Sequence, residues 1–352
     1  MISITTWMDS ERFIHSIKTT LACIIGLTIS RLIGFPADQW VIITIIVVMC
    51  AQIYVGSVLK KSYLRFLGTL IGCLFAMTAI MISNSSDISI LLTIGLSSLI
   101  FSYIATSQEN LSYAGTLGAV TTAIIMLGQV PTLTFAMERF LEISVGLFIA
   151  TIVSQFILPI NARTHLERTQ AKTLEQLRDY YTESLVNKND MEQNSKDELD
   201  ENIVKSLSKQ RQLAKESVHE PLGSAFDPKH FVQCLQCEKE ILRAINFMSV
   251  SLHHMQIAKK SIIESQMMVH FNDNIIQSFN TLIDVIKKNN TDSCFITEAP
   301  LFQLKKTLLN IALKPDEMLH LHSFLFSIEI LSTHLIKLAQ LYRITLRDQA
   351  TE

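Results

Sequence analysis

Hydrophobic positions dominate the first 160 residues in six long runs, at 17–33, 40–55, 66–82, 88–105, 113–127 and 140–158. Short polar turns separate them. Phe35-Pro36-Ala37-Asp38-Gln39 follows the first run, a basic loop at 58–65 the second, and Asn84-Ser85-Ser86-Asp87 the third. A polar stretch at 106–112 follows the fourth, a turn around Pro131 the fifth, and Pro159 stops the sixth. Each run is close to the roughly 17–20 residues that cross a bilayer as a helix. Trp7, Phe13 and Ile14 give the stretch before the first run an interfacial character, and Trp40 and Tyr54 sit near the two ends of the second. The pattern predicts six transmembrane helices over residues 1–160.

From residue 161 the pattern becomes that of amphipathic helices, predicted at 163–186, 203–218, 231–252, 257–287, 301–312 and 315–346. The stretch 187–202 is polar without an apolar face and reads as a linker. His219-Glu220-Pro221-Leu222-Gly223-Ser224 breaks one helix, and Pro315-Asp316-Glu317 makes a good first turn for the last. No phosphate loop, strand alternation or nucleophile elbow is present. The expected class is all-α: a six-helix membrane domain (1–160) followed by a cytoplasmic helical bundle (161–352).

Charge divides the chain in the same place. Residues 1–160 carry seven Lys/Arg and seven Asp/Glu; the other 23 and 25 lie beyond. A net charge of −2 gives no basis for nucleic-acid binding. Six scattered cysteines make no disulfide framework. Cys234-x-x-Cys237 has no second pair beside it, and His253-His254 and His320-x-His322 lack the i, i+4 spacing of a helical metal pair. No metal, cofactor or enzymatic activity is expected.

Lysine and arginine set the orientation. Arg12, Lys18, Lys60, Lys61, Arg65, Arg163, Arg168 and Lys172 flank one side of the spans, against Arg31 and Arg139 on the other. The positive-inside rule places both termini in the cytoplasm. Arg65-Phe66-Leu67 with Gly72 and Ala76, and Arg139-Phe140-Leu141 with Gly146 and Ala150, share the pattern R-F-L-x-x-x-x-G-x-x-x-A. The two copies enter the membrane from opposite sides, which predicts an inverted repeat, a transporter feature. Packing of two small-faced helices is the competing explanation.

Charged groups in or beside spans are costly and are candidates for function. They are Lys18, Lys60, Lys61, Arg65, Glu138, Arg139 and Glu142. Cations dominate the cytoplasmic mouth, as in a path selecting anions, and Arg suits a carboxylate. Thr69 adds a hydroxyl on the Arg65 face. Gly68, Gly72 and Gly146 allow close helix packing. Lys60 and Lys61 also fit a purely topological role, and Glu142, three residues after Arg139, could neutralise it. Thr44, Gln52, Thr121, Thr122, Gln129 and Ser144 are weaker polar candidates, and His15 is the one histidine of this half.

Phe35-Pro36, Trp40-Val41, Thr44, the basic loop and Arg65-x-x-Gly68-Thr69-x-x-Gly72 resemble the fusaric acid resistance / aromatic acid exporter family. Arg211, Ala214 and Glu220-Pro221 are similar to its cytoplasmic segment. Plant aluminium-activated malate transporters are distant relatives, with one six-span unit per chain and a pore at a dimer interface. The resemblance implies a homodimeric inner-membrane exporter or channel for organic, often aromatic, carboxylates. A periplasmic adaptor or a cytoplasmic protein would be a further partner. Glu142 and Ile143 stand where Gly68 and Thr69 do in the first copy, so Arg139 departs from the motif. The alternative is a membrane-anchored scaffold whose cytoplasmic domain binds a partner.

Overall fold

The structure, a computed structural model, describes residues 10–83, 86–107, 109–128, 131–186, 193–221, 226–255, 258–288, 295–297, 301–310 and 315–347. Trp7, Gln129, Asn84, Ser85 and residues 187–192 of the expected linker lie outside them. The chain forms two units. One comprises Met1–Ala162 with Glu216–Gly223, the other Arg163–Lys215 with Ser224–Glu352.

The first unit holds α1 (Ser10–Ile33), α2 (Gln39–Met49), α3 (Val55–Ser83), α4 (Asp87–Ala105), α5 (Glu109–Met126) and α6 (Leu133–Phe156). Successive helices run antiparallel. His15 of α1 meets the Met49 carbonyl at the end of α2, and Lys18 meets the Ser154 carbonyl near the end of α6. Along α3 and α6 the contacts run oppositely, from Phe66 against Phe140 to Cys73 against Ala136. Gly68 and Gly72 of α3 meet Ala114 and Gly118 of α5 in the same order, so those two are parallel. The starts of α1, α3 and α5 therefore gather at one end with the ends of α2, α4 and α6.

Two boundaries differ from the pattern. The run 40–55 is a helix only to Met49, and the basic stretch 58–65 is helical, inside the 29-residue α3. Nothing in Val58-Leu59-Lys60-Lys61-Ser62-Tyr63-Leu64 breaks a helix, whereas Val55 turns the chain by bonding its N–H to the Ile160 carbonyl at 3.1 Å. At about 1.5 Å per residue the 11-residue α2 reaches roughly half a bilayer.

Among the described residues, four helices are long and apolar enough to cross a membrane: Glu11–Ile33, Val55–Ile82, Asp87–Ala105 and Glu317–Leu341. The first three have 22–33% of their apolar window buried, and the fourth, in the second unit, has 50%. Outward-facing Leu32, Ile82, Leu91, Leu99 and Tyr103 give the first unit an apolar exterior.

The second unit contains α7 (Ala162–Tyr181), a π-helical turn (Thr182–Val186), α8 (Gln193–Ser217), α9 (Pro228–His254), α10 (Lys259–Ile263), α11 (Gln266–Lys288), α12 (Leu301–Leu309) and α13 (Pro315–Leu341). Helix α8 starts within the polar stretch expected as a linker, where Asp200 accepts a bond from Asn246 and Lys205 pairs with Glu201. One long helix expected at 257–287 is two, α10 and α11. The pattern missed a pair of three-residue strands, β1 (Phe295–Thr297) and β2 (Thr345–Arg347), which join in parallel. Three residues are too few to show alternation. The core comes from α9, α11 and α13, with Phe271, Phe279 and Phe324 fully buried.

Candidate functional site

The face of α3 that opens with Arg65 divides between two neighbours rather than lining one path. A Cβ at Gly68 would stand 2.4 Å from the Ala114 carbonyl oxygen, and one at Gly72 2.6 Å from that of Gly118. These glycines let α5 lie against α3, and Thr122 fastens the contact by donating to the Gly72 carbonyl at 3.1 Å. Arg65, Thr69, Cys73 and Ala76 form the adjacent row, turned toward α2 and α6. Arg65 Nη2 donates to Thr44 Oγ1 of α2 at 3.4 Å, and Cys73 Sγ to the Ala136 carbonyl of α6 at 3.8 Å. Thr69, one turn beyond Arg65, is 2% exposed. Gly146 of α6 closes this junction: a Cβ there would meet the Val41 carbonyl and Thr44.

The cations at this end differ in depth. Lys60 and Lys61 are half-buried in the first turns of α3, and Lys61 Nζ stands 5.4 Å from the centre of the Tyr113 ring. Arg65, one turn further, is 6% exposed, and its Nε has no acceptor among the described residues. Lys18 is fully buried, and Nζ donates to the Ser154 carbonyl at 3.3 Å. Ser154 is among the last four residues of α6, whose carbonyls lack partners within the helix. One turn before Lys18, His15 Nε2 donates to the Met49 carbonyl at 3.0 Å, at the end of α2. Neither Lys18 nor Arg65 pairs with a carboxylate among the described residues.

Arg139 has the opposite character. Its Nη1 lies 2.7 Å from Glu142 Oε2 within the same helix, and both groups are buried. The guanidinium also stacks near Trp40 and Phe135, 5.3 and 4.7 Å from the ring centres. Glu142 Oε1 accepts the Ala37 N–H at 3.1 Å. The arrangement neutralises Arg139 and ties α6 to the turn before α2. Glu138 is half-buried at the start of α6. Among the weaker candidates, Thr44, Thr121 and Thr122 are buried, Ser144 Oγ has no partner among the described residues, and Gln52 is half-buried. Sequence reasoning did not find Ser154 or Tyr113, which act through a carbonyl and a ring face.

A strap from further along the chain completes this end. A Cβ on Gly56 would collide with the Glu216 carbonyl, and buried Glu220 accepts the N–H of Ala162 at the start of α7. His219, beside Lys60, is held below the usual histidine value by burial first and by that lysine second.

In the second unit, Cys234 and Cys237 are buried on α9, and burial pushes the Cys234 thiol up to about 12. The ring of His254 stacks on that of His320 at 4.8 Å.

Residues 12–223 match the model of the fusaric acid resistance protein family. The chain is 29% identical over 167 residues to the multidrug resistance protein MdtO of Escherichia coli, covering 46% of this chain and 24% of that protein. It is 24% identical over 163 residues to the inner membrane protein YeeA of Escherichia coli, 46% of each chain. It is 26% identical over 183 residues to the p-hydroxybenzoic acid efflux pump subunit AaeB of Yersinia enterocolitica, 47% of this chain and 28% of that one. The matches thus span less than half the length of these relatives.

Proposed function

Because the chain belongs to the fusaric acid resistance protein family, we propose that it exports organic carboxylates, aromatic ones foremost, across a bacterial inner membrane. The six helices of the first unit are the spans, both termini lie in the cytoplasm, and the second unit is a cytoplasmic helical body. Helix α13, half buried among its neighbours, belongs to the core of that body. The relatives support the cargo class: one is a p-hydroxybenzoic acid efflux pump subunit and another a multidrug resistance protein.

One observation carries the reading. Lys18 and Arg65 are buried among apolar helices without a carboxylate among the described residues, whereas equally buried Arg139 has one. A buried, uncompensated cation is expensive, and a transported carboxylate supplies the missing charge. Arg65 offers the guanidinium fork, with Thr44 and Thr69 as hydroxyl partners. Lys60 and Lys61 draw the anion to the mouth. Lys18 lies beside Ser154, eight residues and about 12 Å along α6 from the Gly146 junction with Thr44. The cations are therefore staggered in depth, which suits stepwise passage. Their burial within one chain favours a path between α1, α2, α3 and α6 in each protomer of a homodimer.

The test is flux from liposomes loaded with 4-hydroxybenzoate, benzoate, malate or chloride, with and without a pH gradient. Aromatic carboxylates should leave fastest, and Arg65→Ala or Lys61→Ala should slow them while the protein still folds. Undiminished flux in both variants would overturn the mechanism.

A further inference from the structure

Three polar side chains gather where α1 begins and α2 and α6 finish, and each has hydrogen-bonding capacity to spare. Lys18 is fully buried and spends one N–H on the Ser154 carbonyl. Ser154 is fully buried too, and its Oγ has no partner among the described residues. His15 is 7% exposed; Nε2 is committed to the Met49 carbonyl, while Nδ1 has no partner among the described residues. We propose that these three residues hold a carboxylate, and that His15 takes up a proton as the anion binds. This rests on the export reading, which brings a carboxylate to Lys18, and adds to it a dependence on pH at the cytoplasmic end.

The His15 ring carries the argument. A carbonyl can only accept, so Nε2 holds the hydrogen and Nδ1 of the neutral ring is a lone pair. Buried acceptors are nearly always bonded, and this one is not. A proton alone does not help it. That would make Nδ1 a donor without an acceptor, one helical turn from the Lys18 ammonium. A proton and a carboxylate together satisfy the ring, offset the repulsion from Lys18 and give the Ser154 hydroxyl an acceptor. Each therefore strengthens the binding of the other by the same factor. The proton comes from cytoplasmic water and is released when the anion leaves. An aromatic acid that crosses a bilayer uncharged gives up its proton in the cytoplasm, so the site tightens as the load rises.

No neighbouring carboxylate takes the place of the anion. Helix α1 packs against α2 and α6. On α1 itself, besides Lys18, Glu11 and Arg12 lie one turn before His15, and both already have partners. At this end α2 brings only the exposed thiol of Cys50. Helix α6 brings no ionisable group, because Glu138, Arg139 and Glu142 lie in its first three turns. Beyond α2, the start of α3 adds the cations Lys60, Lys61 and Arg65, and Glu216 and Glu220 of the strap are already partnered.

Isothermal titration calorimetry of benzoate into the full chain in detergent tests the site from about pH 5.5 to 8, where benzoate stays ionised and histidine titrates. Wild-type affinity should rise about tenfold toward the acidic end, the worth of one charge-assisted hydrogen bond. Repeating the titration near neutral pH in two buffers of different ionisation heat should show net proton uptake on binding. His15→Gln keeps a donor for the Met49 carbonyl and cannot titrate. Its affinity for benzoate should stay at the wild type's alkaline value across the whole range. An unchanged pH profile in His15→Gln overturns the proposal. So does a flat wild-type profile or binding without proton uptake, and neither of these depends on a variant folding. Benzoate binding that is flat with pH overturns this inference and leaves the export reading standing, whereas no binding at any pH overturns both.

Discussion

Arg139 and Glu142 form a buried ion pair with a 2.7 Å contact, one helical turn apart on α6. Trp40 and Phe135 flank the guanidinium, and the carboxylate also holds the Ala37 N–H. Removing one partner leaves the other charge buried and alone, at a cost of about 3–5 kcal/mol. Glu142→Gln should therefore lower the thermal stability of the detergent-solubilised protein sharply. The double variant Arg139→Met/Glu142→Leu should recover most of the loss. Losses that simply add in a double-mutant cycle would show that the two residues act separately.

The glycines of α3 give a sharper contrast. At Gly68 an added Cβ meets backbone oxygen at 2.4 Å, while at Gly95 of α4 nothing lies within 4 Å. Backbone cannot rotate aside, so Gly68→Ala should force α5 off α3 and cost about 1–3 kcal/mol. Gly95→Ala should be neutral or stabilise by up to about 1 kcal/mol through helix propensity. Melting temperatures of the two variants decide this. Equal effects would mean that the α3–α5 contact does not depend on Gly68.

These two examples mark what could be read from the chain alone. The Arg139–Glu142 spacing of three is a local feature, so the pair was already a competing explanation for Arg139. The small residues of α3 were also visible, but periodicity could not tell that Gly68 and Gly72 turn to α5 while Arg65 and Cys73 turn to α2 and α6. One helix face is wider than one neighbour. The contact of Lys18 with Ser154 spans 136 residues and ends on a carbonyl, which every residue type carries. The strap at Glu216 to Pro221 is equally remote from Gly56, which it touches through backbone. The early end of α2 was hidden because Cys50 to Tyr54 contains no glycine or proline to mark a stop, and Gln52 is its one strongly polar residue.

Glu238 in α9 makes the second unit sensitive to pH. It is 1% exposed, and burial pushes its carboxyl up to about 8, against the opposing bond from Gln210 at 2.7 Å. Between the unfolded value of about 4.3 and about 8, the folded protein holds a proton that the unfolded chain has released. This group's contribution is therefore fully present below about pH 4.3 and lost as pH rises through 8. Glu238→Gln keeps the shape and removes the titration. Unfolding measured from pH 5 to 8.5 should show the variant gaining on the wild type as pH rises, by up to several kcal/mol. A constant difference between the two would mean that Glu238 titrates alike in both states.

Lys18 separates a structural role from a transport role. Its ammonium is fully buried and holds the Ser154 carbonyl, but no carboxylate compensates it among the described residues. Methionine has nearly the same length and no charge. Lys18→Met leaves one helix-end carbonyl without its donor, a loss of about 1 kcal/mol. It also removes a buried charge whose replacement by an apolar group is often neutral or stabilising by about 1–4 kcal/mol. The balance predicts a variant at least as stable as the wild type in the absence of cargo. If Lys18 pairs with the carboxylate in transit, the same variant should carry 4-hydroxybenzoate at least about tenfold more slowly, since a charge-assisted bond is worth about 1.5–3 kcal/mol. Melting temperature and liposome flux must therefore move in different directions, or stability must hold while flux falls. A fall in both would make Lys18 a cap on α6 and leave the anion to Arg65, Thr44 and Thr69.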